Sequence, residues 1–431
     1  MAISAGIQVP TQKGFIMVKD LSEGDVVYDI DGKETKIIEK TLRHSEFNIE
    51  LEFNKNERFI VSDDQLICAL YLERGRLISK KEDVQLISAL DMYSLKVKHW
   101  TIRVPTVTVE GSGKLVIDPY LFGLWLGDGI TVNSIISSHR DDVEFIRQYI
   151  ENSGYKVGAV KIEHGFAARI GIGNGFRRHL REIGVLGNKH LPEEVYGLCK
   201  DYRLALLQGL MDSDGTVHED RAIFGNTNKN LSLGCARIAS SLGEVVNFYS
   251  IAYKGFGKEG IAYMVGWQPR TIPCKFPRKI AKFGTTKLPN NRTVRKYSLE
   301  IGEAGDFYEI KTESGTIAIS NSYIPIGAGC QGLISKTIAN RMILDRGMQK
   351  GKQIKIENIR DAIKRLKGTP YKVSEDRGYV KKEVYRRILY VDGQMCRGYK
   401  EAAAKAGCCR GYIETAIRRG YKHIKGHSFS Y

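Results

Sequence analysis

The strongest constraint on the fold of this 431-residue chain is a short pattern that occurs twice. Leu121–Gly129 reads LFGLWLGDG and Leu207–Gly215 reads LQGLMDSDG, so both obey L-x-G-L-x-x-x-D-G. The acids that end them, Asp128 and Asp214, lie 86 residues apart. Leu, Trp and Met occupy most faces of each stretch, which predicts a helix end that is apolar nearly all round and needs a partner helix. Gly123 and Gly209 lack a Cβ and allow another backbone to come close. If the two copies pack side by side, both carboxylates emerge at the same end of the pair. A carboxylate at a helix C-terminus faces the negative end of the helix dipole and calls for a cation. Two of them together form a candidate divalent-metal site with hard oxygen ligands. A core helix followed by a glycine cap accounts for one copy alone, but not for two at a domain-sized spacing.

On these residues the chain resembles the LAGLIDADG homing endonucleases, in the single-chain form with two motifs. The second copy fits L-x-G-L-x-D-x-D-G throughout, whereas the first carries Leu126 at the inner acidic position. In the family that position faces the packed helix interface. The resemblance implies Mg²⁺-dependent hydrolysis of double-stranded DNA, with Asp128 and Asp214 as catalytic metal ligands on either side of a pseudo-two-fold axis. It also implies a basic residue near each scissile phosphate. Lys189, within Gly187–Pro192 (GNKHLP), matches that position in one half, its other reading being a surface lysine at a helix boundary. Lys279 and Lys287 are candidates for the other half by region only. Asp212 reads as an interface-edge residue rather than a ligand. His164, His190 and His218 are scattered singly, and none is expected to bind metal.

Around the motifs the order of elements repeats. After Glu110–Lys114 (EGSGK) and the first motif come a strand-like stretch Ile130–Ser138, a helix Arg140–Ser153, a strand pair Tyr155–His164 and Phe166–Ile172, and a basic helix Gly175–Ile183. After Gly215 come a strand near Ala222–Phe224, a helix Leu231–Leu242, and strands around Val245–Ala252 and Ile261–Trp267. In the resembled family each copy supplies one curved antiparallel sheet, and the sheets straddle the DNA major groove.

Residues 1 to about 110 are rich in short Val/Ile runs, and Asp31-Gly32 between two of them signals a hairpin. This all-β stretch resembles the opening of an intein, the Hint fold, through Ile7–Asp25 (IQVPTQKGFIMVKDLSEGD). Thr293–Gly329 resembles the closing blocks, with Phe307–Ile310 (FYEI) and Gly315–Asn321 (GTIAISN) on the expected strands. The splicing positions are degenerate. Ala2 stands where the first nucleophile belongs, and Gln65 stands where a histidine belongs; an amide cannot shuttle a proton near neutral pH. Gly327-Ala328-Gly329 precedes Cys330, so the cyclising Asn is missing although Cys330 occupies the last nucleophile's place.

The net charge is +17, and residues 331–431 alone hold 24 Lys and Arg against nine Asp and Glu, an excess of 15. A polyanion partner is therefore expected to meet the tail. Ile354–Leu366 reads there as an amphipathic basic helix. Further on, strand ILYVDG, helices Tyr399–Ala406 and Arg410–Arg419 around Gly407, and a closing KGHSFSY strand have helix-turn-helix spacing. They resemble the DNA-binding repeats at the tails of intron- and phage-encoded endonucleases, with Lys405, Arg410, Arg418 and Arg419 as candidate DNA contacts. Eight cysteines without a CxxC pair suit a reducing compartment, and no apolar run spans a bilayer. The expectation is a cytoplasmic, intracellular monomer without a membrane partner.

The expected architecture is a multidomain α+β chain. It comprises a Hint-like β module (1–112 and 281–330), an inserted endonuclease region (113–280) and a basic tail (331–431, with the helix-turn-helix-like repeat at about 386–431). Three functions compete: a homing endonuclease on a scaffold that has lost splicing, an intein that still splices (or a splicing-inactivated derivative), and a DNA-binding or maturase protein without cleavage. The retained acid pair favours the first.

Overall fold

The computed structural model describes residues 2–45, 48–53, 57–73, 76–77, 85–90, 92, 101–163, 165–255, 258–283, 297–302 and 305–329. In the tail it describes the strands Leu389–Val391, Gln394–Cys396, His423–Ile424 and His427–Ser430. The chain divides into two units, Met1–Met348 and Gln349–Tyr431. The architecture is α+β, with all assigned strand pairs antiparallel within several separate sheets.

The first unit opens with the β-rich part. Val26–Tyr28 turns back onto Glu34–Ser45 at the expected Asp31-Gly32 position. Gly32 is required there twice over: its φ is +78°, and a Cβ would lie 1.9 Å from the Thr108 carbonyl oxygen. Strands from both ends of the unit interleave. Gly305–Thr312 pairs with Glu34–Ser45 and with Ile3–Ser4, and Tyr297–Gly302 pairs with Asn48–Phe53. Alternating apolar residues such as Ile49, Leu51, Phe53, Val61 and Ile310 point inward and form one core.

The second core lies in the helix-bearing part. It contains α1 (Pro119–Asp128), α2 (Val143–Asn152), α3 (Phe176–Glu182), α4 (Lys200–Ser213), α5 (Lys229–Ser241) and the short α6 (Pro277–Ile280). After α1 comes a three-stranded sheet ordered Ile135–His139, Ala167–Ile172, Val157–Ile162; after α4 comes a four-stranded sheet ordered Gly215–His218, Arg221–Asn226, Lys258–Trp267, Asn247–Gly255. The expected repeat of elements is thus present. The strand expected from Ile130 starts only at Ile135, because the intervening turn is held by other bonds. The Asn133 carbonyl accepts from Trp125 Nε1 at 2.8 Å, and its side chain accepts from Ile135 N at 3.1 Å.

Buried cations on the helices also bond to residues before and after the helix-bearing part. Arg203, fully buried on α4, donates to the carbonyls of Leu198 and Val109 and to Ser241 Oγ. Arg237 on α5 stacks 4.0 Å from the Phe15 ring centroid and donates to Gln8 Oε1 and Asn321 Oδ1, each at 2.7 Å. Among the described residues no helix is long and apolar enough to cross a membrane. In the tail, Leu389–Val391 pairs with Gln394–Cys396 and His427–Ser430; the first and last fall within the two strands expected there, and Gln394–Cys396 is additional.

Candidate active site at the paired helices

α1 begins after Asp118, whose carboxylate accepts from Leu121 N at 2.8 Å, with Pro119 in the first turn. Every α1 residue from Pro119 to Leu126 is buried, so the helix has no solvent face. It is packed against α4 at the two motif glycines. A Cβ on Gly123 would lie 2.4 Å from Leu206 O, and one on Gly209 would lie 2.2 Å from Tyr120 O; each would also be 2.9 Å from the other glycine's Cα. Contact this close between backbones excludes any larger residue. Near the helix ends a Cβ on Gly127 would come within 2.1 Å of Ser213 Oγ and 3.1 Å of Asp214 Oδ2.

The consequence is that Asp128 and Asp214 lie close enough for the charge of one to act on the other. Burial, and then the charge on Asp214, push the Asp128 carboxyl up to about 6. Burial also raises Asp214, but Asn226 Nδ2 donates to its Oδ2 at 2.7 Å and lowers the cost of its charge. Both carboxyls are therefore held above the ordinary carboxylate range, Asp128 in part by the charge on Asp214.

Two lysines flank the pair from equivalent places. Lys189 Nζ donates to Gly127 O at 2.9 Å, at the end of α1, and lies 5.3 Å from the Trp125 ring centroid. Lys279 Nζ donates to Met211 O, Asp212 O and Gly215 O at 2.7, 2.8 and 2.7 Å, at the end of α4. Free carbonyls at a helix C-terminus attract a cation. Burial lowers the pKa of both ammonium groups, while nearby carboxylates act in the opposite sense: Asp214 and Asp128 on Lys189, Asp212 and Asp128 on Lys279.

Lys279 was reachable from sequence only by region, and its rival Lys287 lies outside the described residues. What places it is the α6 turn, held by Arg278, whose Nη2 sits 2.7 Å from Asp142 Oδ2. Asn226 was not anticipated and carries no sequence signal beyond lying near the Asn228 cap of α5. Asp212 is held at the interface edge, as expected: its Oδ2 accepts from Tyr120 Oη at 2.8 Å and from Lys275 N and Phe276 N. Leu126, at the equivalent place in α1, is fully packed in the core. Neither motif ends in the left-handed glycine cap of the simpler reading. Gly129 is extended (φ −75°, ψ 153°) and Gly215 starts a strand. Each is glycine because a Cβ would strike its own helix, at Trp125 or Met211.

Two carboxylates suffice for Mg²⁺, which binds through one or two acidic side chains and fills its remaining positions with phosphate oxygens and water. Among the described residues no group of three or more His, Cys, Asp or Glu side chains forms a metal cluster. His190 and His218 belong to no such group, and His164 lies outside the described residues.

The positions expected to be degenerate for splicing also converge, at the β module. Ala2 N donates to Ser62 Oγ at 2.7 Å, and Ser62 Oγ donates to Asp64 Oδ1 at 2.6 Å. Gln65 Nε2 donates to the carbonyls of Leu66 and Gly327 at 2.9 and 2.8 Å. Ala328 is buried, its N–H donating to Gly315 O and its carbonyl accepting from Thr312 N. Cys330 and the tail residues Lys405, Arg410, Arg418 and Arg419 lie outside the described residues, as do the three tail helices.

No family model matches the chain. It is 27% identical over 270 residues to a replicative DNA helicase DnaB of Mycobacterium intracellulare, covering 56% of this chain and 42% of that protein. It is 33% identical over 118 residues to an iron-sulfur cluster assembly SufBD family protein of Mycobacterium leprae, 24% of this chain and 13% of that one. The chain thus spans less than half the length of these curated relatives. Similar solved structures include mesophilic variants of the homing endonuclease I-DmoI (15% identity, 38% of this chain and 95% of that one, TM-score 0.28). They also include the MchDnaB-1 intein N145AA (17% identity, 20% and 66%, TM-score 0.16).

Proposed function

We propose that the chain is a site-specific double-strand DNA endonuclease, Mg²⁺-dependent, on an intein-like Hint scaffold that has lost splicing. The observation that carries this reading is the closeness of Asp128 and Asp214 at the ends of two helices in backbone contact, with a lysine at each end.

Phosphodiester hydrolysis requires a water oriented in line with the leaving oxygen, and positive charge against the developing negative charge. Asp128 and Asp214 would hold Mg²⁺, which supplies Lewis acidity at the phosphate. Lys189 and Lys279, each anchored to helix-end carbonyls, stand ready to orient water or bind phosphate oxygens, one on each side. The bond formed is water oxygen to phosphorus, and the bond broken is phosphorus to the leaving sugar oxygen, which takes up a proton. Pseudo-two-fold placement would give each strand one acid and one lysine, which accounts for the motif's occurring twice.

Loss of splicing is supported by the β module itself. Ala2 offers no nucleophilic atom, the Gln65 amide is committed to the Gly327 carbonyl, and neither Ala328 nor Gly329, the residue before Cys330, offers an amide side chain to cyclise. Recognition would combine sheet side chains reading base edges with tail Lys and Arg on phosphates, so DNA affinity would fall steeply as salt rises.

The test begins by enriching duplexes bound by the full-length chain from a randomised library, then adding Mg²⁺. The reading predicts discrete double-strand cuts by the wild type. Uncut complexes would leave a binding-only protein. Production of a shortened, religated polypeptide from a fusion flanked by reporter domains would restore the splicing reading.

A further inference from the structure

The sheets beside the acid pair present different chemistry on the face turned away from their covering helices. In the four-stranded sheet, Phe224, Phe248, Val265 and Trp267 form the side packed into the core. The register puts Ile223, Tyr249, Ile251, Tyr253, Ala262 and Met264 on the opposite side. Tyr249, Ile251 and Tyr253 are 41, 42 and 37% exposed, which is unusual for a contiguous apolar group in water. Glycines seat these side chains. A Cβ on Gly260 would meet the Tyr253 ring at 2.9 Å, one on Gly225 would meet Met264 at 2.9 Å, and Gly266 lies under Tyr249. By register the His, Lys and Arg positions on this face lie at its two ends, His218 and Arg221 at one turn and Lys258 at the other.

The three-stranded sheet is the reverse. Ser137, Arg169 and Lys161 stand in one row across its outer face, next to His139. Arg169 is half exposed and 3.2 Å from Glu163. Its exposed apolar residues Val160 and Ile162 pair with Ile170 and Ala168 and so belong to the other, helix-covered side.

Resting on the endonuclease reading, we infer that the DNA target is chemically lopsided: the half under the four-stranded sheet is rich in thymine, recognised through its methyl groups, and the half under the three-stranded sheet is read at guanine by Arg169 and Lys161. Both sheets lead away from the acids. Gly215, next to Asp214, begins the first strand of one, and Gly129, next to Asp128, bridges to Ile136 in the other. A duplex held at the carboxylates would therefore run over both faces. In the major groove only thymine offers a methyl group, and guanine offers the acceptor pair that Arg and Lys prefer. The aromatic face desolvates with little penalty against methyl groups, whereas a row of Ser, Arg and Lys needs acceptors.

The experiment selects bound duplexes from a random library with the full-length protein in the absence of Mg²⁺. Deoxyuridine then replaces thymine in each half of the selected site in turn. Removing each contacted methyl is expected to weaken binding about three- to fivefold, in one half only. Arg169→Ala is expected to relax base preference in the other half, which assigns the halves to the sheets. Equal base composition in the two halves, equal tolerance of deoxyuridine, or relaxation of the thymine-rich half by Arg169→Ala overturns the inference and leaves the endonuclease reading standing. Enrichment of no sequence overturns both.

Discussion

Two places in this molecule bring distant residues together, and they differ in what they bring. At the helix pair, glycine contacts draw Asp128, Asp214, Lys189 and Lys279 into one site, and every side chain there carries charge that metal or phosphate can use. At the β module, strand pairing draws Ala2, Ser62, Gln65 and Ala328 together just as closely. There Ala2 and Ala328 offer only methyl groups, and the Gln65 amide is already bonded to a carbonyl. Folding maintains convergence in both places, because each is also a packing junction. Chemistry is maintained only where the side chains retain it.

That contrast can be broken most severely at the acids. Asp128→Asn or Asp214→Asn is expected to reduce DNA cleavage by about three orders of magnitude, equivalent to several kcal/mol of transition-state stabilisation, while a binding assay shows the DNA still held. Lys189→Met should lower the single-turnover cleavage rate about a hundredfold. Lys279→Met should do the same, with an added loss of thermal stability because three helix-end carbonyls lose their donor. At the β module the expectation is opposite. Gln65→Ala strands two carbonyls and should cost about 1–3 kcal/mol in chemical denaturation, yet leave the cleavage rate at 25 °C unaltered.

The finest distinction is in pH. A carboxyl whose folded-state pKa is raised binds its proton more tightly in the native state. It contributes stability that is fully present below the unfolded value of 3.8 and is lost as pH rises through about 6. Metal-free protein should therefore be more stable with Asp128→Asn than with aspartate by about 1–3 kcal/mol at pH 7. The advantage should vanish toward pH 4 in thermal melts. By the same titration, Mg²⁺-supported cleavage should fall as pH drops below about 6, because protons compete for the site.

Much of the helix-pair site was legible because its cause is local. A helix with no polar face and a motif glycine has few ways to be buried, and a second copy supplies the partner. Leu126 and Asp212 followed from the same reasoning, one dropping into the core and the other bonding Tyr120 at the interface edge. Lys279 was not fixed by sequence, because its position depends on a non-periodic turn pinned by the Arg278–Asp142 ion pair, whose partners lie 136 residues apart. Asn226 was missed for a similar reason: only strand pairing carries it back to Asp214. At the β module, the substitutions at Ala2, Gln65 and Ala328 were readable one by one, whereas the Ser62–Asp64 bonds beside Ala2 required the fold.

On the proposed reading, Asp128 and Asp214 would together hold one divalent ion. The most direct measurement is anomalous scattering from a crystal of the full-length protein with its enriched duplex and Mn²⁺ in place of Mg²⁺. An anomalous peak is expected within about 2.0–2.5 Å of carboxylate oxygens of both Asp128 and Asp214, absent from the Asp214→Asn complex. A peak bound elsewhere, or one unaffected by that substitution, would contradict it.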